Sequence, residues 1–233
     1  MAAIPDPTQL RQVALFRDMG LQELAILNGL MRRQVFPAGM GLVVTEQLED
    51  TAYVIWRGVV KVVVEQADGT EVILAILGPG ELISTLTIGE CSGDARSIVS
   101  LDDTTLFWID LGGFERCLKT MPALSRNLST VLARRVRLAN ERIEALAGLD
   151  VRGRIVRHLL LLAREYGQPT QQEPKGGVRI PLRLTQVDLA SMVGASRNAV
   201  NHTLGELRRR QIVQTNGDHS LLIHDLPELE KLR

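Results

Sequence analysis

Two groups of residues in this 233-residue chain have types and spacings suited to holding anions. The first is Arg96-Ser97, at the end of the stretch GELISTLTIGECSGDARS, where a guanidinium stands beside a hydroxyl in an otherwise apolar, strand-like region. Such a pair, with the amides of a strand end, makes an anion site; the local alternative is an ion pair of Arg96 with Asp94 or Glu81. The second group lies in LTQVDLASMVGASRNAVNHTLGELRRRQIV, residues 184–213. Thr185 followed by Asp188 is a capping-box variant that starts a short helix, Gly194 ends that helix, and Ser196 caps a second one after a tight turn. On the second helix Ala199, Val200, Thr203, Leu204 and Leu207 share one face, while Arg197, Asn198, Asn201, His202 and Arg208 share the other. An arginine near a helix N-terminus can bond guanine O6 and N7 together, and an asparagine adenine N6 and N7. Arg197, Asn198, Asn201 and His202 are therefore candidates for reading base edges in a major groove. Ser196 and Thr185 at the helix starts complete the set, with Arg208 and Arg209 of the run Arg208-Arg209-Arg210 as phosphate holders. Ile212 to Thr215, Asn216-Gly217 and Ser220 to Ile223 then read as a β-hairpin wing.

Catalytic patterns are missing. The chain contains no G-x-S-x-G, H-E-x-x-H, G-x-x-x-x-G-K-[ST] or G-x-G-x-x-G, so an enzyme is not expected. Its two cysteines, Cys91 and Cys117, lack the spacing of a disulfide framework or a zinc site. All four histidines, His158, His202, His219 and His224, fall in the C-terminal part, which gives a haem or iron–sulfur sensor in the N-terminal part no ligand set.

The elements that must position these residues follow from periodicity. From Val35 to Ile109 the chain reads as short strands, for instance Tyr53 to Trp56, Val59 to Val64 and Glu71 to Leu77, separated by turns such as Asp68-Gly69, a type I′ hairpin signal. Many short strands closely spaced predict a barrel or roll. After Pro122 the period changes: Leu124, Leu128, Leu132, Val136, Ala139, Ile143 and Leu146 recur every three or four residues, which predicts a helix of about six or seven turns. Its narrow apolar stripe resembles a coiled-coil seam and predicts pairing with a second copy of the chain. Asp150 is a good N-cap for the next helix, and 167–177 is a polar loop. The expected organisation is α+β: a roll over 1–121, a dimerisation helix over 122–149 and a winged helix-turn-helix over 150–233. Charge follows the same division. Residues 1–150 carry 14 Lys+Arg against 19 Asp+Glu, and residues 151–233 carry 13 against 8, so a net charge of zero hides a basic C-terminal part suited to a polyanionic partner. No apolar run approaches the roughly 18 residues of a membrane span, and the start lacks a signal-peptide pattern, so a cytoplasmic protein is expected.

The helix-turn-helix, the stretch GLDVRGRIVRHLLLLA (Gly148 to Ala163), and a roll with Gly58, Asp68-Gly69 and GPGEL resemble the family of bacterial regulators typified by the cyclic-AMP receptor protein and the fumarate and nitrate reduction regulator. The resemblance runs from about Leu15 to Ile223. It implies a homodimer, a cyclic-nucleotide-binding-like roll, a near-palindromic double-stranded DNA operator and contact with RNA polymerase. In the cyclic-AMP-binding members a Gly-Glu-Leu triplet binds the ribose, an Arg-Ser pair the cyclic phosphate, and a Thr-Ser pair on the dimer helix the adenine. Arg96-Ser97 matches the phosphate pair. The triplet is replaced by Ser84-Thr85-Leu86, and the adenine pair falls on Ala139-Asn140, so the ribose carboxylate and at least one adenine contact are lost. A buried ligand group left unpaired costs about 1–3 kcal/mol, and each ~1.4 kcal/mol is tenfold in affinity. Tight cyclic-AMP binding is not expected; another small anion, or regulation without a ligand, is. The alternatives that stay open are a cyclic-AMP-dependent activator and an interaction or sensor protein that has lost DNA binding. The family's commonest recognition helix carries Arg-Glu at its first two positions and an Arg four residues after that Glu. Here these are Arg197, Asn198 and His202, which predicts an operator half-site that keeps a guanine for Arg197 and departs from the family consensus at Asn198.

Overall fold

The computed structural model describes residues 6–44, 50–84, 96–170, 177–218 and 220–232. The chain divides into two compact units, 1–137 and 138–233, with the division inside one long helix.

The first unit opens with two 3-10 turns, Pro7–Gln12 and Ala14–Phe16, and helix α1 (Leu21–Leu30). Among the described residues eight strands follow: β1 (Arg32–Phe36), β2 (Gly41–Val44), β3 (Thr51–Arg57), β4 (Val60–Glu65), β5 (Glu71–Leu77), β6 (Leu82–Ile83), β7 (Arg96–Ser100) and β8 (Thr104–Asp110). They form two antiparallel four-stranded sheets, ordered β1-β8-β3-β6 and β2-β7-β4-β5. The period of two in each strand sorts side chains between two cores. Ile55, Leu106, Val60, Val62 and Ile98 pack into one. Ala52, Val54, Phe107 and Ile109, on the opposite faces of β3 and β8, pack into the other with Leu10, Leu24 and Leu27 of the N-terminal turns and α1. Phe114 and Cys117 of α2 (Leu111–Thr120) close that second core.

The β4–β5 turn differs from the expected type I′ form. Among the described non-glycine residues only Asp18 and Gln211 have positive φ, so Asp68 does not occupy the left-handed region. Gly69 alone does, at φ 79°, and donates to Gln66 O at 2.9 Å, while Asp68 Oδ1 accepts from Thr70 N at 2.9 Å. The turn is centred on Ala67-Asp68 with a left-handed glycine after it, the longer of the common hairpin solutions.

Helix α3 (Pro122–Gly148) has 27 residues, about seven and a half turns, slightly more than the periodicity predicts. Its N-terminal Leu124 is fully buried, whereas Val136, Ile143 and Leu146 are 60%, 61% and 50% exposed. In the second unit α4 (Val151–Tyr166) starts at the expected N-cap, with Asp150 Oδ1 accepting from Gly153 N at 2.7 Å. There follow β9 (Gln168–Pro169), β10 (Val178–Ile180), α5 (Gln186–Val193), α6 (Arg197–Arg209), β11 (Val213–Thr215), β12 (Leu221–Ile223) and α7 (Leu226–Glu230). The strands form an antiparallel sheet ordered β11-β12-β10-β9, so the segment beginning at Gly167 contributes a short strand as well as a loop. No helix among the described residues is long and apolar enough to cross a membrane.

Candidate nucleic-acid interface and effector residues

Helices α5 and α6 form the helix-turn-helix, and local chemistry sets each of its corners. At the start of α5, Asp188 Oδ2 accepts from Thr185 N at 2.9 Å and Thr185 Oγ1 at 2.7 Å, and Thr185 Oγ1 accepts from Asp188 N at 3.1 Å. Thr185 is exposed, but its hydroxyl is engaged on both sides by this capping box. Gly194 ends α5 at φ 60°, a conformation that costs glycine nothing. Ser196 then caps α6 by accepting from Ala199 N at 3.2 Å. Val200, Thr203, Leu204 and Leu207 turn inward and are buried; Ala199 is only half-buried.

The opposite face carries the predicted recognition residues. Arg197, Asn198 and His202 are exposed, and Asn201 is half-buried. Arg208 and Arg209 are exposed and lean back along the helix, with Nε donating to Leu204 O at 3.3 Å and Gly205 O at 3.4 Å. This places two cations at the negative end of the α6 dipole. Arg210 pairs with Glu228 at 2.7 Å. The wing is present as β11 and β12 with Val213 opposite Ile223. Its turn is closed by Asn216 N donating to Ser220 O and by Asp218 Oδ1 accepting from Ser220 N and Oγ, rather than by a left-handed Asn216-Gly217 pair. His219 lies outside the described residues.

Two arginines of α4 that the sequence reading passed over belong to this surface. Arg154 Nη2 donates to Gly194 O at 3.3 Å, tying the turn of the motif to α4, and Arg152 Nη1 lies 4.0 Å from Glu206 Oε2 on α6. The clue available in the sequence was the run of arginines on both sides of Gly153. Beneath the motif His158 is buried, with Nε2 3.0 Å from Met192 Sδ. Burial and the nearby Arg142 charge lower its pKa to about 3, so the ring is neutral at ordinary pH. Among the described residues no cluster of three or more His, Cys, Asp or Glu is placed to hold a metal.

The effector residues are placed unit by unit. In the first, Ser84 follows β6 and is fully buried, and Ser97 is half-buried in β7 opposite Val63 and Val44. Arg96 opens β7 opposite Val64, and its side chain lies outside the described part of the chain, as do Thr85, Leu86 and Cys91. Glu81, the local acid proposed above as a partner for Arg96, is 3% exposed and held from α3. Arg134 Nη1 donates to its Oε1 at 2.6 Å, and Arg135 donates from Nη2 at 2.6 Å and Nε at 3.2 Å to its Oε2. Arg135 also donates to Leu82 O at 2.9 Å, which fixes the segment leading to Ser84. In the second unit Ala139 and Asn140 are both exposed on α3.

Residues 33–121 match the cyclic nucleotide-binding domain family model, and residues 153–232 match that of the Crp-like helix-turn-helix domain. A CRP-like cAMP-activated global transcriptional regulator of Mycobacterium tuberculosis is 30% identical over 95% of this chain and 97% of its own length. The cAMP-activated global transcriptional regulator CRP of Salmonella typhimurium is 30% identical over 78% of this chain and 85% of its own length. Among solved structures, a mutant of CooA from Carboxydothermus hydrogenoformans superposes with a TM-score of 0.70 at 25% identity, covering 87% of this chain and 88% of that one. A nucleotide-binding-type roll, a helix-turn-helix with a wing and full-length relatives of one kind converge: the chain belongs to the Crp/Fnr family of transcription regulators and is not an enzyme.

Proposed function

We propose that this regulator acts as a homodimer paired through α3, reads a near-palindromic duplex with the N-terminal half of each α6, and contacts RNA polymerase from the bound site. The observation that carries DNA reading is the exposed row Arg197, Asn198 and His202 on a helix whose opposite face is buried and whose N-cap leaves its first turn open. Arg197 takes a guanine, Asn198 an adenine, and Arg208 and Arg209 take phosphates. Selection from random duplexes tests this reading: it gives half-sites with a guanine and an adenine at the positions facing Arg197 and Asn198. Recovery of the unmodified family consensus would refute the role of Asn198.

In the same reading the roll keeps the anion-binding half of a cyclic-nucleotide site, Arg96-Ser97, and loses the rest at Ser84-Thr85-Leu86 and Ala139-Asn140. The regulator therefore answers to another small anion or works without a ligand. A cyclic-AMP-dependent activator is the second reading, favoured by the names of the M. tuberculosis and S. typhimurium relatives. Calorimetric titration with cyclic AMP separates the two. Micromolar binding that strengthens operator affinity supports the second reading, and no heat with unchanged affinity supports the first.

A further inference from the structure

Helix α6 carries four basic or imidazole side chains, Arg197, His202, Arg208 and Arg209, and one acid, Glu206, which lies one turn beyond His202 on the same face. A carboxylate on a helix that approaches phosphates lowers affinity for every duplex, whatever its sequence. Its surroundings suggest what it does instead. Glu206 Oε1 is 3.9 Å from His202 Nδ1 and Oε2 is 4.0 Å from Arg152 Nη1 in the first turn of α4. The same carboxylate, with Arg152, Arg209 and Arg210, lines a cleft of about 290 Å³. Its side chain is 32% exposed, against 71% for His202 and 43% for Arg152, so the least exposed member of the group sits between the imidazole and the guanidinium.

We propose that Glu206 is a positioning residue of the DNA-reading surface: it holds His202 and Arg152 in one arrangement and thereby trades general affinity for sequence discrimination. With Nδ1 facing Glu206 across 3.9 Å, the imidazole offers its Nε2 edge outward. Arg152, which lies outside the helix-turn-helix, is held beside α6, where it adds a phosphate-binding cation at the cleft. The inference rests on the DNA-reading role of α6 given above.

The test compares wild type, Glu206→Gln and Arg152→Gln on a selected operator and on a scrambled duplex, across a salt series, with thermal melting as a check on folding. Near a phosphate, loss of one charge at about 4 Å in water is worth roughly a fivefold change in affinity. Glu206→Gln is expected to strengthen scrambled-duplex binding about fivefold, to strengthen operator binding less, and to broaden base preference at the half-site position facing His202. Arg152→Gln is expected to weaken both duplexes alike and to reduce the salt slope by about one unit. A merely structural Glu206 would shift the melting temperature and leave the operator-to-scrambled ratio and the base preference unchanged, and that result overturns the proposal. Wild-type protein that shows no salt-dependent binding to either duplex overturns the DNA-reading role itself, an outcome distinct from an unchanged ratio.

Discussion

Replacing Val136 and Ile143 together by glutamate tests the dimer through the stripe of α3. Full burial of a Val or Ile side chain is worth about 1.5–3 kcal/mol. These side chains are 60% and 61% exposed, so a partner helix that covers them gains about 1–2 kcal/mol from each. A symmetric pair counts every gain twice, so the two positions contribute on the order of 4–8 kcal/mol to association. Losing that contribution raises the dimer Kd by at least about a thousandfold, before any cost of bringing four carboxylates toward an apolar seam. Sedimentation equilibrium at micromolar protein should find the double variant monomeric and the wild type dimeric. Because both residues are exposed in the single chain, circular dichroism should show an intact fold. The control is Arg137→Glu, off the stripe on the same helix, which should stay dimeric. A Val136→Glu/Ile143→Glu protein that sediments as a dimer would refute the reasoning, since no other change in that variant could restore the lost area.

The remaining predictions concern the DNA-binding unit. Asp188→Ala removes the acceptor for both Thr185 donors and the reciprocal half of the cap, and should lower stability by about 1–2 kcal/mol in urea unfolding, a larger loss than Ser196→Ala at the exposed cap of α6. His158 has a native pKa of about 3 against 6.5 for a free imidazole, so the unfolded chain binds the extra proton. Stability tied to His158 is fully present above pH 6.5 and falls as pH drops toward 3, by on the order of 1 kcal/mol per pH unit, and His158→Gln should flatten the difference in urea midpoint between pH 7 and pH 4.5. Arg197→Ala should cost about 1–3 kcal/mol on the operator and relax preference at one guanine, whereas Arg208→Ala should weaken all duplexes evenly; equal effects of the two on selectivity would reverse the assigned roles.

The DNA-binding motif was legible in the sequence because its chemistry is local. A cap at Thr185, a left-handed Gly194 and a cap at Ser196 act over three or four residues, and the alternation of Val200, Thr203, Leu204 and Leu207 with Arg197, Asn198 and His202 fixes which face is buried. Turns were less legible: Asp68-Gly69 and Asn216-Gly217 name a hairpin correctly, yet Asp68 and Gly217 stay out of the positive-φ region, since side-chain acceptors at Asp68 and Asp218 stabilise longer turns. Least legible were the groups set by long-range pairing. Neither Arg152 with Glu206 nor Arg134 and Arg135 with Glu81 leaves a periodic trace, because the partners are 53 or 54 positions apart in sequence and meet only in the fold.

Glu81 shows how much that matters for the effector question. Read in sequence, it is a neighbour able to neutralise Arg96, an argument against an anion site. In the structure it is buried and takes donors from two guanidiniums of α3, so its charge is already more than balanced where it lies. A carboxylate so engaged has little left to offer a third arginine. Of the two local acids that the sequence offers as partners for Arg96, Glu81 is thus committed to α3, and Asp94 lies outside the described residues.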